Sequence, residues 1–270
     1  MTELSPGQVE DMRSLQRICS SHGADLVIIG AIAYQAFIDD RYRHTQDIDV
    51  AVALDLEDFS NLRQDLLAAG WRQAGNLEHR WRGPADSLID LLPAGKSLLA
   101  AKVINWPAGG MTMSLVGFDH VFRDSIQKEL APGLYVKIVP PCILILLKVV
   151  AYMEDRQRRF KDLIDIRNLL LRYELDNDVR RFSDAVFAAS LPDIEYAGAF
   201  LMGQDVAALC TREEADLVRA FVRDVSDPNS PPHSDYGRAT NTIEIGEEPV
   251  RWQELESFEK GLMFRPSDSS

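Results

Sequence analysis

Two aspartates separated by one residue are the part of this sequence with the clearest chemical potential. Asp47 and Asp49 open the run DIDVAVAL (47–54), which has the length and apolar content of a buried strand. Because side chains alternate between the two faces of a strand, both carboxylates project to one side and Ile48 to the other. Neighbouring carboxylates repel each other unless a cation lies between them. The pair is therefore suited to Mg²⁺, which prefers oxygen ligands and leaves positions free for phosphate.

A third carboxylate, Asp90, lies within another short apolar run, SLIDLL (87–92). An acid in such a strand is costly to bury unless it has a partner. Three acids on two strands can hold two metal ions, one activating an attacking oxygen and the other neutralising a triphosphate. The alternative is a solvated strand start at 47–49 with Asp90 on an exposed edge, since D-x-D alone is a common pattern. Nearby Arg80 either reaches a triphosphate or forms a cross-strand ion pair.

The residues upstream indicate how a phosphate would approach these acids. A strand predicted over 25–29 ends at Gly30 and is followed by a helix over 31–37. A glycine lets the backbone approach a phosphate closely, and the helix offers its positive N-terminal end. The same glycine is equally consistent with a simple tight turn. Thr45 lies two residues before Asp47 and either binds phosphate or bonds its own backbone.

Around these motifs the sequence predicts mixed strands and helices first and helices alone afterwards, the order of an α/β or α+β core with a helical cap. A helix is expected from Ser5-Pro6 to Gly23, because proline suits the first turn and glycine the end. Other helices are predicted over 56–69, 142–153, 158–172, 178–189, 195–209, 212–225 and 251–261, and further strands over 71–74, 77–82, 111–116 and 134–139. The Ser-, Pro-, Asn- and Gly-rich stretch 226–250 is expected to be loop.

Composition and charge exclude several classes of protein. The 270 residues are 46% hydrophobic, enough for a real core, and the net charge of −13 argues against a generic basic nucleic-acid-binding protein. The acidity is concentrated at the end, since 1–173 carry −2 and 174–270 carry −11, whereas 148–172 carry +3. The three cysteines are far apart and form no C-x-x-C pair, so the sequence supports neither a disulfide framework nor a thiolate zinc site. With no leader and no long apolar run, we expect a cytoplasmic protein without a membrane partner.

The motifs taken together resemble a known family. Their order and spacing over about 20–175 are similar to the polymerase-beta-type nucleotidyltransferase fold and, more narrowly, to the AbiEii/AbiGii toxin family, in which a lysine-bearing helix precedes a KDxxD helix. One departure is Ala31, which stands where the family usually has a serine. Five segments carry the resemblance: Gly30-Ala31, TQDID (45–49), IDLLP (89–93), LKVVAY (147–152) and KDLID (161–165).

The resemblance implies an α+β fold, with a nucleotidyltransferase-type mixed sheet, flanking helices and an all-helical C-terminal region. The expected parts are a catalytic core over 1–139, a helical domain over 140–225 that completes the nucleotide site, and a loop-rich acidic tail with a short helix over 226–270. The implied reaction moves a nucleoside monophosphate from an NTP to an acceptor hydroxyl and releases pyrophosphate. Mg²⁺ or Mn²⁺ is the implied cofactor.

The resemblance also assigns site residues and partners. The catalytic and metal-binding set is Asp47, Asp49 and Asp90, with Asp90 beside the acceptor hydroxyl, and the nucleotide-binding set is Gly30, Ala31, Thr45, Lys148, Lys161 and Asp162. Asp165 is expected to be structural. The implied partners are the NTP, an RNA acceptor such as tRNA, and an antitoxin protein. A nucleotidyltransferase acting on a small molecule or protein, and a non-catalytic NTP-binding protein of the same fold, remain alternatives.

Spacing alone gives a plainer interpretation of the helical residues. Lys148 ends an apolar helix face and can simply extend its ammonium to water. The pairs Arg158–Asp162 and Lys161–Asp165 are four residues apart, as in ordinary surface ion pairs. Three neighbouring arginines form either a basic rim for RNA or a solvated helix face: Arg156, Arg158 and Arg159.

Overall fold

The chain forms two compact units, Met1–Pro140 and Pro141–Ser270. The structure, a computed structural model, describes residues 4–38, 47–173, 179–241 and 252–264. The first unit combines a mixed sheet with helices, and the described elements of the second are all helical. The α+β class expected from the sequence is therefore confirmed. The separation of 140–225 from 226–270 stays a prediction.

Within the described part of the first unit, seven strands form one mixed sheet and two more form a small ribbon. The sheet strands are β1 (Leu26–Ile29), β2 (Asp47–Val52), β3 (Arg72–Gln73), β4 (Arg80–Arg82), β5 (Leu88–Pro93), β8 (Ile126–Ala131) and β9 (Leu134–Ile138), and the ribbon is β6 (Val103–Asn105) with β7 (Thr112–Ser114). The spatial order is β3-β4-β5-β2-β1-β9-β8. β2 runs parallel to β5 and antiparallel to β1, and β4 runs antiparallel to β5. The strands that carry the three acids are therefore neighbours at the centre of the sheet.

Five helices accompany this sheet in the described residues: α1 (Pro6–Ser21), α2 (Gly30–Gln35), α3 (Leu56–Ala68), α4 (Lys96–Ala101) and α5 (Phe118–Arg123). The predicted start of α1 is confirmed, because Ser5 and Gln8 form a capping box. The Ser5 hydroxyl accepts from the Gln8 amide at 3.2 Å, and the Gln8 side chain accepts from the Ser5 amide at 2.9 Å. Opposite the acids, the side chains of Ile48, Val50 and Ile89 are completely buried and anchor β2 and β5 in the core.

The second unit is built from helices α6 (Pro141–Glu154), α7 (Phe160–Leu171), α8 (Asp184–Ala188), α9 (Ala197–Leu209), α10 (Arg212–Ser226), α11 (Pro231–Asn241) and α12 (Gln253–Met263), with 3₁₀ turns at Val179–Phe182 and Ile194–Tyr196. α9 and α12 pack at very short range. A Cβ atom at Gly203 would lie 2.2 Å from the Phe258 carbonyl oxygen, and one at Gly261 would lie 2.0 Å from that of Phe200. Glycine is required at both positions because the two backbones touch there.

In the first unit the structure adds four short elements that the sequence did not indicate: α4, β6, α5 and β8. In the second unit it differs from the sequence-based elements in two places. α11 lies inside the stretch 226–250 that was expected to be loop. Its first residues are Pro231 and Pro232, whose missing amide protons are not needed in the first turn, and Tyr236 is completely buried. The helix predicted over 178–189 is a 3₁₀ turn followed by the short α8. Among the helices that the structure describes, none has both the length and the apolar character needed to cross a membrane.

Candidate active site

Four charged side chains lie on one face of the sheet, across three adjacent strands. Asp49 on β2 is directly opposite Asp90 on β5, and Asp90 is directly opposite Arg80 on β4. Residues directly opposite each other share a face, and so do residues two apart on one strand, which adds Asp47 to the row. The structure thus brings the three predicted catalytic acids onto a common face. We call this face, formed by Asp47, Asp49, Asp90 and Arg80, the acid face.

Arg80 is the cationic member of the acid face. Its Nε lies 2.7 Å from Asp90 Oδ1 and its Nη2 lies 2.6 Å from Asp90 Oδ2, a two-pronged pair, while Nη2 also lies 3.2 Å from Asp47 Oδ2. Hydrogen bonding to Asp90 raises the pKa of Arg80, and the charges of Asp47 and Asp49 add to this against the opposing effect of burial. Of the two roles that the sequence left open for Arg80, the cross-strand ion pair is the one observed. It gives the Asp90 carboxylate, 10% exposed, the partner that burial requires.

The Asp49 carboxylate lies in the space that a side chain at position 30 would fill, so Gly30 is needed beside it. Its φ is +69°, and a Cβ atom built there would lie 2.0 Å from Asp49 Oδ2 and 3.0 Å from Asp49 Cβ. The glycine is therefore dictated by the acid beside it as well as by its left-handed backbone. Ala31 follows in the first turn of α2 and is buried. Thr45 lies outside the described residues.

Lys148 forms a buried cluster with two acids in the second unit. Its Nζ on α6 lies 3.0 Å from Asp162 Oδ1 and 2.6 Å from Asp165 Oδ2, both on α7. All three side chains are at most 8% exposed. Burial opposes the charged lysine, but the two carboxylates outweigh it and raise its pKa. The plainer alternative, in which Lys148 extends its ammonium to water, is therefore not the one observed, and the nucleotide-binding role implied by the resemblance stays a prediction.

The alternative that spacing alone offered, surface ion pairs four residues apart, is not observed for Asp162 and Asp165 either. Asp162 and Asp165 are three residues apart, lie on the inner face of α7 and bond Lys148. Lys161 is exposed. The second oxygen of Asp162, Oδ2, is buried without a hydrogen-bond partner among the described residues, and Arg159 Nη1 lies 3.9 Å from it.

Of the three arginines between α6 and α7, one is paired with an acid on α11 and the other two point outward. Arg156 Nη2 lies 2.7 Å from Asp235 Oδ2 on α11, and the Tyr152 hydroxyl donates to the same oxygen at 2.9 Å. Burial acts to raise the pKa of Asp235, but these bonds and one from Arg238 hold it below its usual value. Arg158 and Arg159 are 82% and 46% exposed. The sequence did not indicate Asp235, because it lies in the stretch expected to be loop.

The carboxylates of the acid face fit Mg²⁺, provided that substrate phosphates supply further ligands. Asp47 and Asp49 offer hard oxygen donors on one face, and the bare Gly30 leaves room for the second of them. Across the described ranges, no three Asp, Glu, His or Cys side chains form a group that would hold a metal ion by itself. Mg²⁺ at phosphoryl-transfer sites is bound through one or two carboxylates together with water and substrate phosphates, so an aspartate pair suffices.

Comparison with protein families decides the assignment. The model of the nucleotidyl transferase AbiEii toxin family, a type IV toxin–antitoxin system, matches residues 13–255. The chain belongs to this family. It is a nucleotidyl transfer enzyme, as the resemblance of its motifs implied. A search of curated proteins found no match for this AbiEii-family chain.

Three solved structures resemble the AbiEii-family chain at low identity. The antibiotic-resistance factor ANT(2'')-Ia in solution is 16% identical over 61% of this chain and 83% of its own, with a TM-score of 0.36. Its crystal structure with adenylyl-2''-tobramycin is 17% identical over 60% and 86%, with a TM-score of 0.37. An antigenic nucleotidyltransferase-like protein from Paracoccidioides brasiliensis is 15% identical over 88% and 95%, with a TM-score of 0.45.

Replacing Gly30 with alanine is expected to displace the Asp49 carboxylate and to lower nucleotidyl transfer more than tenfold (about 1.4 kcal/mol or more in the barrier). Gly75→Ala is the matched control, because Gly75 has the same φ of +69° with nothing within 4 Å of its Cβ position. Both variants should lose about 1–2 kcal/mol of stability from the left-handed backbone, measured by denaturant unfolding. Wild-type transfer by Gly30→Ala would contradict the role given to this glycine.

Proposed function

We propose that this AbiEii-family enzyme transfers a nucleoside monophosphate from an NTP to a hydroxyl group of RNA, with tRNA as the acceptor class. The observation that supports this most strongly is the acid face, where Asp47, Asp49 and Asp90 project together from two adjacent parallel strands. A concentration of carboxylates on the central strands of a sheet is costly, and the single charge of Arg80 offsets only part of it, which favours a role in cation and phosphate chemistry.

Mg²⁺ or Mn²⁺ is the proposed cofactor, held through Asp47 and Asp49. When bound, such an ion supplies positive charge that neutralises the triphosphate. Asp49 is the better anchored of the two ligands, because Gly30 makes room for it and β1 pairs directly with its backbone at Ile29. Asp47 is 33% exposed and shares Arg80 with Asp90.

The proposed chemical step is an in-line displacement at the α-phosphorus. The acceptor hydroxyl oxygen forms the new O–P bond, the bond between the α-phosphorus and the bridging oxygen breaks, and pyrophosphate leaves with that electron pair. Asp90 is the proposed general base that takes the hydroxyl proton. For the nucleotide-binding residues, namely Gly30, Ala31, Thr45, Lys148, Lys161 and Asp162, the roles implied by the family resemblance stay predictions.

Exposed cations at the α6–α7 connection support an RNA acceptor. Arg158 and Arg159 face outward, whereas Arg156 is held by Asp235. The sequence around them carries a net charge of +3 over 148–172, although the chain as a whole is at −13. A local cationic surface of this kind attracts phosphate backbones through counterion release.

The double variant Arg158→Gln/Arg159→Gln is expected to weaken tRNA binding several-fold. The slope of log K against log salt should fall in magnitude by about 1–2, because up to two phosphate contacts are lost. Arg219→Gln/Arg223→Gln on α10 is the control, since it removes the same charge from side chains that are 41% and 73% exposed. Equal salt slopes for the two double variants would place the RNA surface elsewhere.

The family description as a type IV toxin–antitoxin system leads us to propose an antitoxin protein as a partner. Co-expression tests this separately from the reaction. Wild-type protein expressed alone should slow bacterial growth, and an antitoxin encoded beside it should relieve the inhibition.

The experiment that decides between these acceptors measures where the α-phosphate of a labelled NTP is transferred. Purified protein is incubated with Mg²⁺, total tRNA and each α-³²P-labelled NTP in turn, and the products are separated on denaturing gels. Label in the tRNA band supports the proposal. Label on protein or on a small molecule replaces the RNA acceptor with that class. NTP binding by calorimetry without transfer to any acceptor supports a non-catalytic member of the fold.

A further inference from the structure

Arg80 is the member of the acid face that the proposed reaction leaves without a role. One guanidinium bonds both oxygens of Asp90 and one oxygen of Asp47, and so links acids on two different strands. Its position is fixed by the backbone, because Arg80 and Asp90 are register partners in the β4–β5 pair. Strand register therefore holds the two side chains next to each other, as in other cross-strand pairs that stabilise sheets.

The geometry of the pair restricts how Asp90 can turn. The planar fork of an arginine matches a carboxylate through two parallel hydrogen bonds, which fixes the carboxylate plane as well as its position. With Asp90 at 10% exposure and Arg80 at 31%, water competes weakly for these bonds. A carboxylate that accepts a proton in an oriented step gains from being held in one rotamer.

The charges of the face give Arg80 a second effect. Three carboxylates and one guanidinium leave a net negative face, and the Arg80 charge lies against Asp47 at 3.2 Å. Any cation that binds beside Asp47 is repelled by this guanidinium. Arg80 therefore opposes the binding of a divalent ion while it stabilises the carboxylates in the absence of one.

We propose that Arg80 is a positioning residue and the internal counter-cation of the acid face: it holds Asp90 in one orientation, and its charge weakens divalent-cation binding beside Asp47. This inference rests on the proposed function, which assigns the proton acceptor and the metal ligands. Charge and shape should have separable effects, because lysine keeps the charge and loses the fork, whereas glutamine loses both.

The test measures Mn²⁺ binding directly, by calorimetry and by the electron paramagnetic resonance of free Mn²⁺, on the full chain. Arg80→Gln should bind Mn²⁺ about tenfold more tightly than wild type, because a positive charge near the ion is removed. Arg80→Lys should stay close to wild type. Arg82→Gln is the control, since Arg82 is on the same strand and face, two residues away, and pairs with the exposed Asp86.

Transfer kinetics provide the second readout. Both Arg80→Gln and Arg80→Lys should lower kcat by about tenfold or more, because neither fixes the Asp90 carboxylate with a two-pronged pair. Equal Mn²⁺ affinity in wild type, Arg80→Gln and Arg82→Gln would overturn the counter-cation role. Wild-type kcat in Arg80→Lys would overturn the positioning role.

One further result separates this inference from the proposed function. If the wild-type protein transfers no nucleotide to any acceptor while Arg80→Gln binds Mn²⁺ more tightly than wild type, the proposed function is overturned and the counter-cation role is kept. If Arg80→Gln does not fold, Arg80→Gln/Asp90→Asn is compared with Asp90→Asn, and the double variant should bind Mn²⁺ about tenfold more tightly than the single one. Equal affinities in that comparison would again overturn the role.

Discussion

Asp49→Asn is expected to reduce nucleotidyl transfer by at least about 10²–10³-fold, the loss typical of removing one electrostatic group that acts on the transition state. Asparagine has the shape of aspartate but carries no charge, so a cation and a triphosphate lose their anchor while the packing is kept. The fold should persist, because the Asp49 side chain lies on the partly exposed face of β2 and the core face is formed by Ile48 and Val50.

The measurement pairs transfer of α-³²P label with circular dichroism and thermal unfolding. Asp86→Asn is the control, since Asp86 is 73% exposed and pairs with arginines at the surface of the same unit. It should keep wild-type transfer. A folded Asp49→Asn protein with full activity would remove Asp49 from the catalytic set.

Lys148→Met is expected to produce the largest loss of stability, about 3–5 kcal/mol, because it leaves two buried carboxylates without their cation. Asp162 and Asp165 are 6% and 0% exposed, so water cannot replace the lost ammonium. Both carboxylates favour the charged lysine and raise the pKa of Lys148 against the effect of burial. Denaturant unfolding monitored by far-UV circular dichroism measures the change.

Two further variants make this result specific. Lys137→Met removes a lysine whose pairing with Asp25 is exposed at 44% and 52%, and should cost less than about 1 kcal/mol. Adding Asp162→Asn and Asp165→Asn to Lys148→Met should restore most of the lost stability, because no buried charge then lacks a partner. A loss below about 1 kcal/mol in Lys148→Met alone would show that the cluster is solvated in solution.

The local features of the acid face could be predicted from the sequence because they depend on neighbours along the chain. The alternation of a strand places Asp47 and Asp49 on one side, whatever the rest of the fold does. The helix start at Ser5-Pro6 and the end of the helix before Gly23 are equally local. The spacing of motifs along the chain was sufficient to indicate the AbiEii family, which the match over residues 13–255 confirms.

The partners of the charged residues could not be predicted, because they come from other elements. The four-residue spacing on α7 suggested surface pairs for Asp162 and Asp165, but the packing of α6 against α7 turns both acids inward to Lys148. The buried Tyr236 and the Asp235–Arg156 pair belong to α11. The sequence predicted a loop there because the stretch is rich in proline and serine. Propensity is a weak guide wherever tertiary packing supplies the stabilising contacts.

The sequence by itself determined which residues carry the chemistry: the aspartate pair on one strand, a third acid in a second apolar strand, and a lysine followed by a KDxxD helix. Only the tertiary structure decided how the charges are balanced. Strand register places Arg80 opposite Asp90, and the approach of β1 to β2 requires glycine at position 30 beside the Asp49 carboxylate. These contacts join residues distant along the chain, and their energies depend on burial and separation, which a linear pattern does not contain.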